Sequence, residues 1–87
     1  MLTVYKYSLD TDMVEMPAGA KVLTAQSQND KAYMWALVDT TAPLVIRRFR
    51  IFGTGFDIEH TPKDLGYIGT FQVCNGTFIW HVFEIFG

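Results

Sequence analysis

The chain is poor in the residues that most chemistries require: 87 residues hold one cysteine, two histidines and three prolines. A single cysteine excludes an intramolecular disulfide, and Cys74, with no cationic neighbour in sequence to lower its pKa, reads as a small hydrophobe in a strand. Charge of one sign is missing too. The formal net charge is -2 with both signs interspersed, which gives no global field to draw nucleic acid or an anionic membrane. No apolar run approaches the roughly 20 residues that span a bilayer. The opening from Met1 to Asp10 lacks the charged segment, apolar core and cleavage site of a secretory signal, so the cytoplasm is the expected location. Asn75-Gly76-Thr77 matches a glycosylation acceptor but reads as a turn in that setting. There is no internal repeat, linker or low-complexity tract.

What is present is apolar and strand-like. Hydrophobic residues make up 49% of the chain and aromatics 15%, enough to offset ordering entropy by burial. Residues 1–87 form one domain, which on size scaling buries about 60 to 65% of its unfolded surface. No stretch holds a 3.6-residue apolar period, whereas alternation of period two recurs. Strands are expected over Leu2 to Leu9, Met13 to Met16, Ala20 to Gln28, Ala32 to Asp39 and Leu44 to Phe52. Turn signals separate them at Asp10-Thr11-Asp12, Pro17-Ala18-Gly19, Asn29-Asp30-Lys31 and Thr40 to Pro43. An irregular segment from Phe56 to Gly66 follows, with one helical turn at Thr61-Pro62-Lys63-Asp64, where a capping residue precedes proline at the first helical position. The predicted fold is all-β: a small antiparallel sandwich or partly open barrel of five to seven strands with at most one short helical turn.

The last quarter is the best determined. Two β-prone runs flank Asn75-Gly76, and a type I′ turn needs positive φ at both central residues, so the dipeptide sets the register of a C-terminal hairpin. Cys74 then faces Thr77, Val73 faces Phe78, Phe71 faces Trp80 and Thr70 faces His81. Phe71, Val73, Phe78, Trp80 and Val82 share one face and form core. Ile68, Cys74, Ile79, Phe83 and Ile85 share the other, which implies a hairpin covered on both sides, or a homodimer through its second face.

Three arginines, Arg47, Arg48 and Arg50, form the densest basic cluster, and alternation sets Arg48 beside Arg50. Guanidinium forks match paired oxygens. With the amides of Gly53, Thr54 and Gly55 downstream, a nucleotide phosphate is one candidate ligand. The plainer alternative is an exposed edge strand whose positive charges oppose aggregation. Exposed Phe56 in the loop, near the arginines, has the composition of a protein-interface hot spot or of a pocket that stacks a base. Asp57, Glu59, His60 and Asp64 are metal-capable, yet a metal centre of this kind usually needs a second histidine, and His81 reads as a satisfied sheet residue. His60 near Thr54 or Thr61 carries no nucleophile motif. No cofactor is implied, and the chain reads as a binding protein rather than an enzyme.

Five segments together resemble a family of small uncharacterised proteins of tailed phages and prophages: Met16 to Ala20 (MPAGA), Trp35 to Asp39 (WALVD), Arg50 to Gly55 (RIFGTG), Tyr67 to Gln72 (YIGTFQ) and Trp80 to Glu84 (WHVFE). Lys6 to Leu9 is similar as well, while Phe56 to Leu65 and Ile85 to Gly87 are particular to this chain. The resemblance transfers no functional residues. It implies an accessory phage product in the infected cell that binds and inhibits a host factor, such as an anti-phage defence component. Its other readings are a sponge for a cyclic nucleotide or ADP-ribose-type signal and a self-assembling virion-associated protein. Arg48, Arg50, Gly53, Thr54, Gly55, Phe56 and His60 are the candidate binding residues.

Overall fold

A computed structural model describes residues 1–87 as seven strands and one 3-10 turn. The strands are β1 Leu2–Ser8, β2 Met13–Pro17, β3 Lys21–Gln28, β4 Lys31–Asp39, β5 Leu44–Gly53, β6 Leu65–Val73 and β7 Phe78–Ile85, with the turn at Pro62–Asp64. They form two antiparallel sheets, ordered β1-β4-β3 and β2-β5-β7-β6, without closing into a barrel. Alternation within each strand points one row of side chains between the sheets. Met16, Met34, Val38, Phe49 and Val82 are fully buried there. Burying a side chain of this size stabilises the fold by about 1.5 to 3 kcal/mol.

Small residues set how closely the sheets meet. A Cβ on Gly69 would lie 3.4 Å from the Ala25 amide nitrogen, which holds β6 against β3. Ser27 on β3 donates to the Gln72 carbonyl on β6 at 2.8 Å. The β3-β4 hairpin turns on Asn29 and Asp30, both at positive φ (51° and 61°), with Gln28 opposite Lys31. Short polar side chains tolerate this left-handed geometry.

The terminal hairpin has the expected register over its strands: Val73 opposite Phe78, Phe71 opposite Trp80, Thr70 opposite His81. The Thr77 amide closes the expected turn on the Cys74 carbonyl at 3.1 Å, with positive φ at Asn75 and Gly76, but Cys74 itself departs from strand geometry. Cys74 leaves the ladder with φ 52° beside Asn75 at 54° and Gly76 at 86°, and its amide donates to Asp30 Oδ1 at 3.0 Å. That carboxylate holds Cys74 in the turn, where it is an exposed thiol rather than a strand hydrophobe. Phe78 is also half exposed rather than core, because Val73 is the last residue of β6 and nothing beyond it covers the ring. Ile68 changes sides: a bulge between Tyr67 and Gly69 turns it against the core.

β5 is an interior strand, with β2 and β7 on either side, so the aggregation-blocking edge expected for its arginines does not exist. Segments of the same chain cover part of the hairpin's outer side. His60 stands edge-on to Phe52 at 6.5 Å, the Phe86 ring sits at Gly66, and the Phe86 amide donates to the Asp64 carbonyl at 2.9 Å.

Candidate functional site

The three arginines have three different partners. Arg47 shares a face with buried Phe49 and makes a two-pronged pair with Glu84, Nε to Oε2 at 2.7 Å and Nη2 to Oε1 at 2.6 Å. Its Nη1 donates to the Ala20 carbonyl. The hydrogen bonds to Glu84 hold the guanidinium's pKa above its ordinary value, so Arg47 is a structural cation. Arg50 donates to Asp12 Oδ2 at 2.7 Å. Exposed Arg48 makes only a long 3.5 Å contact with the Gly87 carbonyl. The anion cradle drawn from Arg48 and Arg50 therefore has one of its two charges balanced by Asp12.

Of the amides that would complete such a cradle, that of Thr54 is committed. Thr54 donates to the Ile79 carbonyl at 3.3 Å and Phe56 to the Gly53 carbonyl at 3.0 Å. What this turn does build is an aromatic cluster. Gly55 at φ +86° lets the chain reverse, and the bare Gly53 leaves room for the Phe56 ring, which a Cβ there would meet at 2.9 Å. Phe56 lies edge-on to Trp80 at 6.0 Å, and Phe78 stacks on the same indole at 6.0 Å. Gly53, Thr54, Phe56, Thr77, Phe78, Ile79 and Trp80 line a groove of about 310 Å³. The neighbouring depression of about 250 Å³ shares Trp80 as a wall and adds Ala32, Ile51, Phe71 and Val73 around Asp30.

The groove contains no charged side chain. Phe56 is 62% exposed, Phe78 50% and Ile79 39%, all at this one end of the molecule. A rigid indole flanked by two open phenyl rings suits an apolar or aromatic side chain of a partner.

Of the residues singled out from sequence, Gly53, Thr54 and Phe56 line this groove and Gly55 shapes it. Strand alternation places Arg48 and Arg50 on the other face of β5, with Phe52 and His60. His60 has a buried Nδ1 without a hydrogen-bond partner. Phe78, Ile79, Trp80 and Thr77 were absent from the sequence-derived set. The signal for Phe78 was in the register, since it pairs with the last residue of β6 and so reaches past the covered part of the sheet.

His81 forms the other polar feature. Thr54 Oγ1 lies 2.7 Å from its Nε2 and Thr70 Oγ1 3.0 Å from its Nδ1, with the Tyr67 hydroxyl 2.7 Å from Thr70. Two neutral hydroxyls satisfy the two ring nitrogens and tie the Gly53 turn to β6 across β7. No carboxylate joins this chain of contacts to polarise the imidazole. No three His, Cys, Asp or Glu side chains converge, and no helix is long and apolar enough to cross a membrane.

The sequence matches the family described as "Domain of unknown function (DUF7352)" over residues 1–85. No curated protein and no solved structure matches it.

Proposed function

The chain belongs to the family of the domain of unknown function DUF7352, and from that premise we propose that it works by binding rather than by catalysis: a phage accessory protein that captures and inhibits a host protein, in the first place a component of anti-phage defence in the cytoplasm. The observation that carries the reading is the groove at Trp80, where Phe56 and Phe78 remain open to solvent. Exposed aromatics around a fixed indole have the composition of an interface anchor, whose truncation typically costs about 2 kcal/mol or more of binding energy. The phage and defence context rests on the resemblance of the MPAGA, WALVD, RIFGTG, YIGTFQ and WHVFE segments.

The test is a set of bacterial strains that each carry one defence system and express the chain. The expected result is restored phage plating in at least one strain, lost with Phe78→Ala or Phe56→Ala while Tm stays within a few degrees of the parent. Plating that no strain recovers, or that both variants restore as well as the parent, would sink the reading. A nucleotide sponge would need Arg50 freed from Asp12 and a new donor in place of the Thr54 amide. A thermal shift with a cyclic dinucleotide or ADP-ribose derivative would put that function in its place.

A further inference from the structure

Two open sheets present four edge strands, and three are protected. β3 and β6 lie against each other through Gly69, Ala25 and the Ser27 hydroxyl. β2 is five residues long and ends in Pro17. The fourth, β1, is seven residues long without proline, glycine or bulge. Its Leu2 is 68% exposed, Val4 49% and Tyr5 43%. An exposed apolar edge of this kind is a template for another strand unless charge guards it.

The only charge on β1 is Lys6, and it is turned away from the edge. Its Nζ donates to Gln28 Oε1 at 3.1 Å and sits 4.6 Å over the Tyr33 ring, back across the sheet over β4. The backbone phase is also fixed. Thr40 donates to the Met1 carbonyl and Leu9 to the Ala32 carbonyl, so the odd-numbered residues of β1 bond to β4. The N–H and C=O groups of Leu2, Val4, Lys6 and Ser8 therefore point outward along the open edge.

We propose that β1 pairs antiparallel with β1 of a second copy about a two-fold axis at Tyr5, joining two three-stranded sheets into one of six strands. In this register Leu2 faces Ser8 and Val4 faces Lys6 across the axis, so all four outward residues of each strand are bonded. Lys6 faces the partner's valine while its ammonium stays over Tyr33, and the two lysines do not oppose one another. A register one pair further along would set Lys6 against Lys6 and is disfavoured by like charge. The strand is thus complementary to its own copy, with no like charges in contact. An edge pairing of this length buries less than the roughly 1,200 Å² of a standard interface, so the dimer is weak and its population grows between micromolar and millimolar concentration.

The test is light scattering on the whole chain from micromolar to millimolar concentration, with amide exchange read by NMR. Dimer formation with slowed exchange at Leu2, Val4, Lys6 and Ser8 is expected. Val4→Pro removes an outward N–H and no bond to β4, so this variant keeps its β spectrum and stays monomeric. Val4→Lys, which sets lysine against Lys6 of the other copy, does the same without a proline. In a Cys74→Ser background, Tyr5→Cys places two thiols across the axis on residues about 4.5 Å apart, within disulfide reach. It oxidises to a covalent dimer many times faster than Met13→Cys on β2. A chain that stays monomeric to millimolar, a dimer that survives Val4→Lys, or equal oxidation of the two cysteine variants overturns the proposal.

Discussion

Replacing Arg47 by methionine is the sharpest perturbation of this fold. The guanidinium makes two short bonds to Glu84 and one to the Ala20 carbonyl, with side-chain exposures of 22% for Arg47 and 10% for Glu84. Arg47→Met strands a carboxylate in the core, and breaking a buried pair from one side costs about 3 to 5 kcal/mol. For a domain of this size that is a fall of about 15 to 30 °C in Tm. The double variant Arg47→Met/Glu84→Met removes both charges and leaves only the Ala20 carbonyl without its donor. It should lie within about 1 to 2 kcal/mol of the parent. The assay is urea unfolding of the parent, both single variants and the double, with the coupling energy taken from the cycle. A single-variant loss below about 1 kcal/mol, or a double-variant loss equal to the sum of the singles, refutes the argument that this pair is strongly coupled and buried.

Gly53→Ala displaces the Phe56 ring, because the added Cβ would meet it at 2.9 Å, yet an exposed ring can swing aside. Stability should change by no more than about 1 kcal/mol, while the Trp80 indole NMR signal moves and partner binding drops; an unmoved indole signal speaks against the packing described. Tyr7 gives a pH dependence. Its hydroxyl is held above the ordinary value of 10.0, by burial first and by neighbouring Tyr5 second, so the folded state keeps that proton more tightly than the unfolded chain. The resulting stability is whole below about pH 10 and is lost as pH rises through the folded value. Thermal melts across that range should show a shallower alkaline fall for Tyr7→Phe, and parallel curves would count against it.

Most of the strand pattern was legible because alternation and turn chemistry are local properties. Asn75-Gly76 sets the β6-β7 register by its own backbone preference, and Thr61-Pro62 marks the 3-10 turn in the same way. Part of what stayed hidden depends on distant partners. Cys74 leaves its strand because a carboxylate 44 residues away accepts its amide. Ile68 turns inward at a bulge whose local mark is Gly69 beside it. Arg47 looked like its neighbours in sequence, and only the pairing of β5 with β7 shows it to be the one held against Glu84. One clue was present: Glu84 has the inward parity of Trp80 and Val82, and an acid on that face needs a cation of matching parity beside Phe49. The candidate site was half legible for a similar reason. Phe56 could be picked out as an exposed loop aromatic, but its placement on Trp80 depends on β7 pairing beside β5 at Gly53.

The strand order carries a consequence for how the protein is made. β7 lies between β5 and β6, yet follows both in the chain, so during translation neither has its full set of neighbours until β7 leaves the ribosome. The β1-β4-β3 sheet is complete by Asp39 and can form early, with β2 waiting beside it for β5. A chain cut before Phe78 therefore lacks the strand that pairs with both β5 and β6. The last strand made is the one that locks the second sheet.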